Sequence, residues 1–243
     1  MTIQFISLAL SAYLLGSVPT AYLIARWRRG IDIRQYGSGN VGASNVLASV
    51  SKRWTIPVAV FDIGKGALTV WIAQLLGFGA AEQITVGIIT VIGHNWPIFL
   101  RFQGGRGIST TLGVITMLSW KLGLIALVIS YMLAPLRQLS LGVCVALTSL
   151  PIFGWFLSQP LDIEARLPVT LGFAVLALIG LSKRLLAPKT AISESVPPLQ
   201  LFFNRILFDR DISDRKAWIS RTPPEVSLIE QPLGQEEEQG ESL

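Results

Sequence analysis

The apolar residues of this chain gather in long unbroken runs rather than in alternating stripes. Runs over 3–25, 54–77, 84–100, 108–119, 121–136, 141–157 and 167–182 predict helices that are apolar on every side. Such helices are buried in a core or in lipid, and about 20 apolar residues span a bilayer. The fourth and fifth runs are short for that, so 108–136 predicts a re-entrant or tilted hairpin. The expected fold is all-α: a polytopic membrane domain over 1–190 with about seven transmembrane helices, then a polar tail over 191–243. Within the tail, apolar residues at 202, 203, 206 and 207 among charges predict an amphipathic helix over about 200–221. It would lie on the membrane or pack on the protein's own face. Residues 222–243 are polar and acidic and predict disorder.

Composition agrees. Hydrophobic residues make up 51% of the 243 and charged ones 14%, against roughly 25% charged in soluble domains. The net charge of +5 conceals a division. Residues 191–243 carry five basic and ten acidic side chains, the first 190 residues fifteen basic and five acidic. A basic membrane domain follows from the accumulation of Lys and Arg on the cytoplasmic side, so the charge points to membrane lipid and not to nucleic acid. The segment 26–53, with Arg26, Arg28, Arg29, Arg34, Lys52 and Arg53 against Asp32, sets the orientation: N-terminus out, C-terminus cytoplasmic. Lys121 then falls outside, against the rule. The first run has no basic leader and no small-residue cleavage site, and is expected to be a retained span. The single Cys144 excludes an internal disulfide and reads as a packing residue.

With this orientation every Gly/Ser/Asn-rich or Arg-rich connection (34–45, 101–110, 137–140, 183–190) lies on the cytoplasmic face. The segment YGSGNVGASNV (36–46) offers Gly37, Gly39 and Gly42, whose backbone lets amides approach an anion. Ser38, Asn40, Ser44 and Asn45 add neutral donors suited to phosphate oxygens. A tight loop capping the next helix is the plainer reading. In GHNWPIFLRFQGGRGIST (93–110), Gly104, Gly105, Arg106 and Gly107 combine close approach with a guanidinium that grips phosphate on two sides. Close helix packing is the alternative use of those glycines. His94, the one histidine, is a candidate general base or hydroxyl partner, or else a structural histidine. In FDIGKG (61–66), Asp62 and Lys65 lie inside an apolar run, where ionisable groups are functional or paired. Three apart, they are placed to pair with each other. Arg137 and Ser140 form a weaker candidate pair. No zinc-type Cys/His cluster, P-loop, nucleotide fingerprint or nucleophile elbow is present. No acid follows His94 within five residues.

Together, SGNVGASN (38–45), FDIGKG (61–66), GHNWPIF (93–99) and GGRG (104–107) resemble the bacterial acyl-phosphate:glycerol-3-phosphate acyltransferase (PlsY) family, in order and spacing, over about 5–190. The resemblance implies a seven-helix inner-membrane enzyme with a cytoplasmic site. Such an enzyme moves a fatty acyl group from acyl phosphate to the sn-1 hydroxyl of glycerol 3-phosphate. It implies catalytic roles for His94 and Ser38. It implies substrate binding by Asn40, Ser44, Asn45, Gly104, Gly105, Arg106 and Gly107; Gly42, Lys65 and Ser140 are added to the expected substrate contacts from the residues themselves, and no metal or cofactor is expected. The chain departs from the family at Ala48, where an arginine is expected, and at Arg106, where a lysine is expected. Ala43-Ser44-Asn45 stands for Ala-Thr-Asn. In the third motif, near GLSKRLLAPKT (180–190), Leu178 and Leu181 replace a histidine and an asparagine, and Pro188 and Thr190 a glycine and a glutamate. These losses keep open a non-catalytic homologue that binds glycerol 3-phosphate or acyl phosphate. A small-anion transporter is a further alternative, opposed by polar motifs gathered at one membrane face.

Overall fold

A computed structural model describes residues 2–188 and 190–220, which hold twelve α-helices and no strand. Five segments are long and apolar enough to cross a membrane. The first, Thr2–Arg29, is α1 (Thr2–Gly16) and α2 (Thr20–Arg29) joined across a break at 17–19. After the short α3 (Ala43–Ser49) come α4 (Lys52–Leu75) and α5 (Ala80–Asn95), the latter extended by a turn to Leu100. The last two are α8 (Leu139–Phe156) and α9 (Arg166–Leu185). Between α5 and α8 lie α6 (Ile108–Leu118) and α7 (Trp120–Met132). At 1.5 Å per residue these reach about 17 and 20 Å, short of the roughly 30 Å hydrocarbon layer. They are the expected hairpin.

The hairpin's turn is built on Ser119, which is buried, accepts from the Leu122 amide and donates to the Leu161 carbonyl at 2.6 Å. Next to it, Lys121 lies 2.7 Å from Asp162 and 3.0 Å from the Pro160 carbonyl. The cation that offends the charge rule is therefore neutralised by its neighbour loop.

Small residues set the helix spacings. A side chain on Gly66 would strike the Thr110 carbonyl, and one on Gly113 the Ile63 carbonyl, so α4 and α6 touch along their backbones. Gly16 and Gly93 do the same between α1 and α5. Around this, Phe173, Leu176, Leu150, Val114, Ile115 and Leu122 form the largest apolar core. Outward faces carry exposed Ile56, Val60, Val128, Ile152 and Leu171, as lipid-facing positions do. At the 26–54 end, the Arg28 guanidinium stands 4.4 Å from both the Trp27 and the Trp54 rings, and Arg29 donates to the Ser49 carbonyl at 2.6 Å. Those contacts tie α2 to α3 and α4.

The tail holds α10 (Ala191–Glu194), α11 (Pro198–Phe208) and α12 (Arg215–Ile219). The single helix expected over 200–221 is thus two. Asp209 adopts the left-handed φ of 52° that ends α11, and the Asp214 carboxylate caps the start of α12. Helix α11 packs on α8 and α9 with Asn204 and Arg205 buried, while Leu199, Phe202 and Phe203 face outward. The disorder expected over 222–243 lies outside the described residues.

Gly66→Val should destabilise the protein by about 1–3 kcal/mol, because α4 and α6 must separate. Gly64→Ala, on the exposed side of the same helix with open space around it, should leave the melting midpoint in detergent unchanged or raise it, since Ala is favoured over Gly in a helix interior by about 0.5–1 kcal/mol. Equal midpoints for both variants would contradict the close α4–α6 contact.

Candidate active site

The site begins at the break between α1 and α2. In a continuous helix the Gly16 carbonyl would accept from the Thr20 amide. Here the Thr20 amide turns to the Val18 carbonyl, Pro19 offers no N–H, and the Lys65 ammonium takes Gly16 O at 3.0 Å and Val18 O at 3.3 Å. Lys65 is balanced by Asp62 at 2.9 Å, one turn back on α4, and both side chains are at most 2% exposed. The Thr20 hydroxyl donates to the same carboxylate oxygen at 2.9 Å. Lys65 was expected to bind substrate; in the fold its ammonium donates to two carbonyls and pairs with a carboxylate. Its work is to hold the broken helix.

His94, at the end of α5, closes this cluster. Its Nδ1 lies 3.6 Å from Asp62 Oδ1, beyond hydrogen-bond length but within ion-pair reach. Its Nε2 points the other way, against Gly105: a Cβ there would overlap both Nε2 and the Val41 carbonyl. Gly105 is therefore the junction of the first loop, the GGRG loop and the histidine.

The first loop is organised from within by Asn45. Its amide donates to the carbonyls of Ile33 (3.1 Å), Tyr36 (3.0 Å) and Asn40 (3.0 Å), and its oxygen accepts from the Ser38 amide (3.1 Å) and the Ser49 hydroxyl (3.2 Å). Expected as a phosphate donor, Asn45 spends its hydrogen bonds on the loop. Ser38 and Asn40 are half-buried on the same turn, the Ser38 hydroxyl accepting from the Asn40 amide at 3.4 Å. Gly42 precedes α3, and Ser44 and Ala48 are exposed on it. Arg34 folds back on Asp32 at 2.6 Å and reaches Gln103 at 3.2 Å, joining the two loops. That guanidinium holds the Asp32 carboxyl below the usual range. The stabilisation is therefore present above the ordinary aspartate pKa and is lost only as pH falls through the lowered one.

In the second loop, the Gly104 and Gly105 amides donate to the Asn95 and His94 carbonyls, each at 3.2 Å. They cap α5 instead of facing an anion. Gly107, at φ 73°, starts α6. Arg106 is buried; its Nε is 2.8 Å from Asp209, the residue that ends α11, and its Nη1 donates to the Lys183 carbonyl at 2.9 Å. Ser140 joins this side through its carbonyl, which accepts from Arg184 at 3.1 Å; no contact carries it to His94. Arg137 is exposed at the turn before α8.

Two of the third-motif positions bring nothing polar: Leu178 is 64% exposed on the outer face and Leu181 packs on the main core. Thr190 caps α10 with Ser193. Lys183 lies over the Trp96 ring at 4.8 Å.

The model of the glycerol-3-phosphate acyltransferase family matches residues 6–186. The chain belongs to the glycerol-3-phosphate acyltransferase family. It is 44% identical over 221 residues to Glycerol-3-phosphate acyltransferase 4 of Dehalococcoides mccartyi (strain CBDB1), covering 91% of this chain and 95% of that one. It is 40% identical over 153 residues to the Glycerol-3-phosphate acyltransferase of Synechococcus sp. (strain CC9902), covering 63% and 76%. It also superposes on crystal structures of the integral membrane glycerol 3-phosphate acyltransferase PlsY (YgiH). The glycerol 3-phosphate form gives a TM-score of 0.68 and the lysophosphatidic acid form 0.65. Identity to each is 29%, over 74% of this chain and 88% of the other.

Members of the cluster absent from the expected site are Asp62, Asn95, Lys183 and Asp209. Asp62 announced itself as a carboxylate within an apolar run. Asn95, fully buried beside Gly107, has no hydrogen-bond partner for either amide atom among the described residues, and the same holds for Asn40 Oδ1 and Thr110 Oγ1.

Asn45→Asp keeps the acceptor but sets a carboxylate against three carbonyls. It should cost about 2–4 kcal/mol and remove hydrogen-exchange protection over 36–45; retained protection would deny Asn45 its organising role. Lys65→Met strands a buried carboxylate and should cost about 3–5 kcal/mol. Lys65→Met with Asp62→Asn should recover part of it in the same denaturation measurement.

Proposed function

We propose that this chain transfers a fatty acyl group from acyl phosphate to the sn-1 hydroxyl of glycerol 3-phosphate, giving lysophosphatidate for phospholipid synthesis and inorganic phosphate. The observation that carries the mechanism is the Gly105 junction. It sets a histidine ring nitrogen against the meeting point of two polar loops, at the end of an apolar bundle.

In this reading the first loop and the GGRG loop each hold a substrate phosphate. Ser38, Asn40, Gly42 and Ser44 serve one, and Arg106 the other with the first turn of α6. Asn40, Asn95 and Thr110 supply polar groups that the fold leaves unpaired, an arrangement that costs about 1–3 kcal/mol per group unless a ligand uses it. With its Nδ1 proton directed at Asp62, His94 keeps a lone pair on Nε2. The sn-1 hydroxyl oxygen attacks the acyl carbonyl carbon while Nε2 takes the hydroxyl proton. The carbon–oxygen bond to phosphate then breaks, and phosphate leaves with the electron pair. Because phosphate is a good leaving group, positioning and stabilisation of the oxyanion are the main tasks. The Lys/Arg distribution supports placing these loops on the cytoplasmic side, and the family resemblance supports a bacterial inner membrane. The apolar Leu178 and Leu181 favour the second reading, a homologue that binds these phosphates without turnover.

Purified protein should release phosphate from palmitoyl phosphate only when glycerol 3-phosphate is present. His94→Ala and Ser38→Ala should each lower that rate by about 10²-fold or more while remaining folded. Binding of glycerol 3-phosphate without release would establish the second reading. Near-normal rates in both variants would remove the site as drawn.

A further inference from the structure

Arg106 is gripped by two groups outside its own loop, and one comes from a helix beyond residue 186, where the family match ends. Asp209 takes Nε and the Lys183 carbonyl takes Nη1. Nη2 is left without a hydrogen-bond partner among the described residues. The pair is sheltered, with the arginine side chain 10% exposed and the aspartate 20%. We infer that Asp209 is a positioning residue for the phosphate-binding arginine: α11 is a mount that holds the guanidinium in one orientation for glycerol 3-phosphate. This rests on the reading above, in which Arg106 serves a substrate phosphate.

The mount is fastened on both sides of Asp209. Before it, Arg205 donates through Nη1 to the Leu185 and Ala187 carbonyls, each at 2.8 Å, and Arg184 donates to the Ile206 carbonyl at 2.7 Å. After it, Asp211 is 1% exposed; it takes Arg205 through both carboxylate oxygens, at 2.7 and 3.0 Å, and its carbonyl accepts from Asn204. Asp209 itself is locked at φ 52°, with its amide on the Arg205 carbonyl at 3.1 Å. A tethered carboxylate that came and went would need none of this.

A free arginine side chain surrenders several rotors when it grips a ligand, and holding it in advance removes that penalty from binding. A carboxylate beside the same arginine also repels a phosphate. The two effects act on KM in opposite directions, which makes the role measurable.

Asp209→Ala and Asp209→Asn in the full chain, reconstituted in lipid nanodiscs, should be assayed with palmitoyl phosphate saturating and glycerol 3-phosphate varied. We expect Asp209→Ala to raise KM for glycerol 3-phosphate about tenfold with kcat within about twofold and KM for palmitoyl phosphate unchanged. Asp209→Asn, which keeps an acceptor at Oδ1, should recover part of the loss, and it carries the test alone if the alanine variant does not fold. A lowered KM would make Asp209 a competitor of the substrate, and an unchanged KM would deny it any part; either overturns the inference. If wild-type protein shows no turnover, titration calorimetry with glycerol 3-phosphate reads the same effect as Kd. If Arg106→Ala leaves that Kd unchanged, it is the assignment of Arg106 that fails.

Discussion

A carbonyl that loses its helical partner inside hydrocarbon has to find another, because no water is there to take it. The break at Ser17–Pro19 creates that problem for Gly16, and the rest of the site follows from the answer. Lys65 reaches across from α4 to the orphaned carbonyls. Its charge then needs Asp62, and Asp62 in turn sits 3.6 Å from the His94 ring. One polar chain thereby ties α1, α2, α4 and α5 at a single depth. A buried ion pair is weak evidence for stability in itself. Its value here is register: sliding α4 by one turn would carry the ion pair away intact and strand the Gly16 and Val18 carbonyls and the Thr20 hydroxyl.

The glycines work by close approach, though not uniformly in the way the loops suggest. Gly104 and Gly105 give their amides to the end of α5, and Asn45 gives its whole amide to its own loop. The donor-rich segments therefore divide into groups that build the loops and, in the proposed reading, groups left over for a ligand. The second set is small: the hydroxyls of the first loop, the unpaired Asn40, Asn95 and Thr110, and the remaining face of Arg106.

Much of the fold was legible because apolar runs and their lengths are local properties. The seven runs correspond to five long helical segments and one short hairpin, and the Asp62–Lys65 pairing follows from their spacing. Which donors are consumed internally was not legible. Ser38 and Asn45 carry equally suitable groups, and only the folded turn shows Asn45 pointing inward. Asp209 was beyond reach for another reason: it meets Arg106 across 103 residues of chain, and no local pattern records such a contact.

The end of α9 shows why the tail and the GGRG loop are coupled at all. A helix leaves its last four carbonyls without intrahelical donors, and α9 ends at Leu185. The Leu186 amide takes the Ser182 carbonyl and the Ala187 amide that of Arg184. The Lys183 carbonyl goes to Arg106 and the Leu185 carbonyl to Arg205 of α11. Cations are favoured at this negative end of the helix dipole. The same terminus thus fixes Arg106 of the GGRG loop and the tail helix, each by a guanidinium. Once both are seated there, the ion pair between Arg106 and Asp209 follows from their shared anchor. The third-motif segment contributes through its backbone what its side chains at 178 and 181 do not.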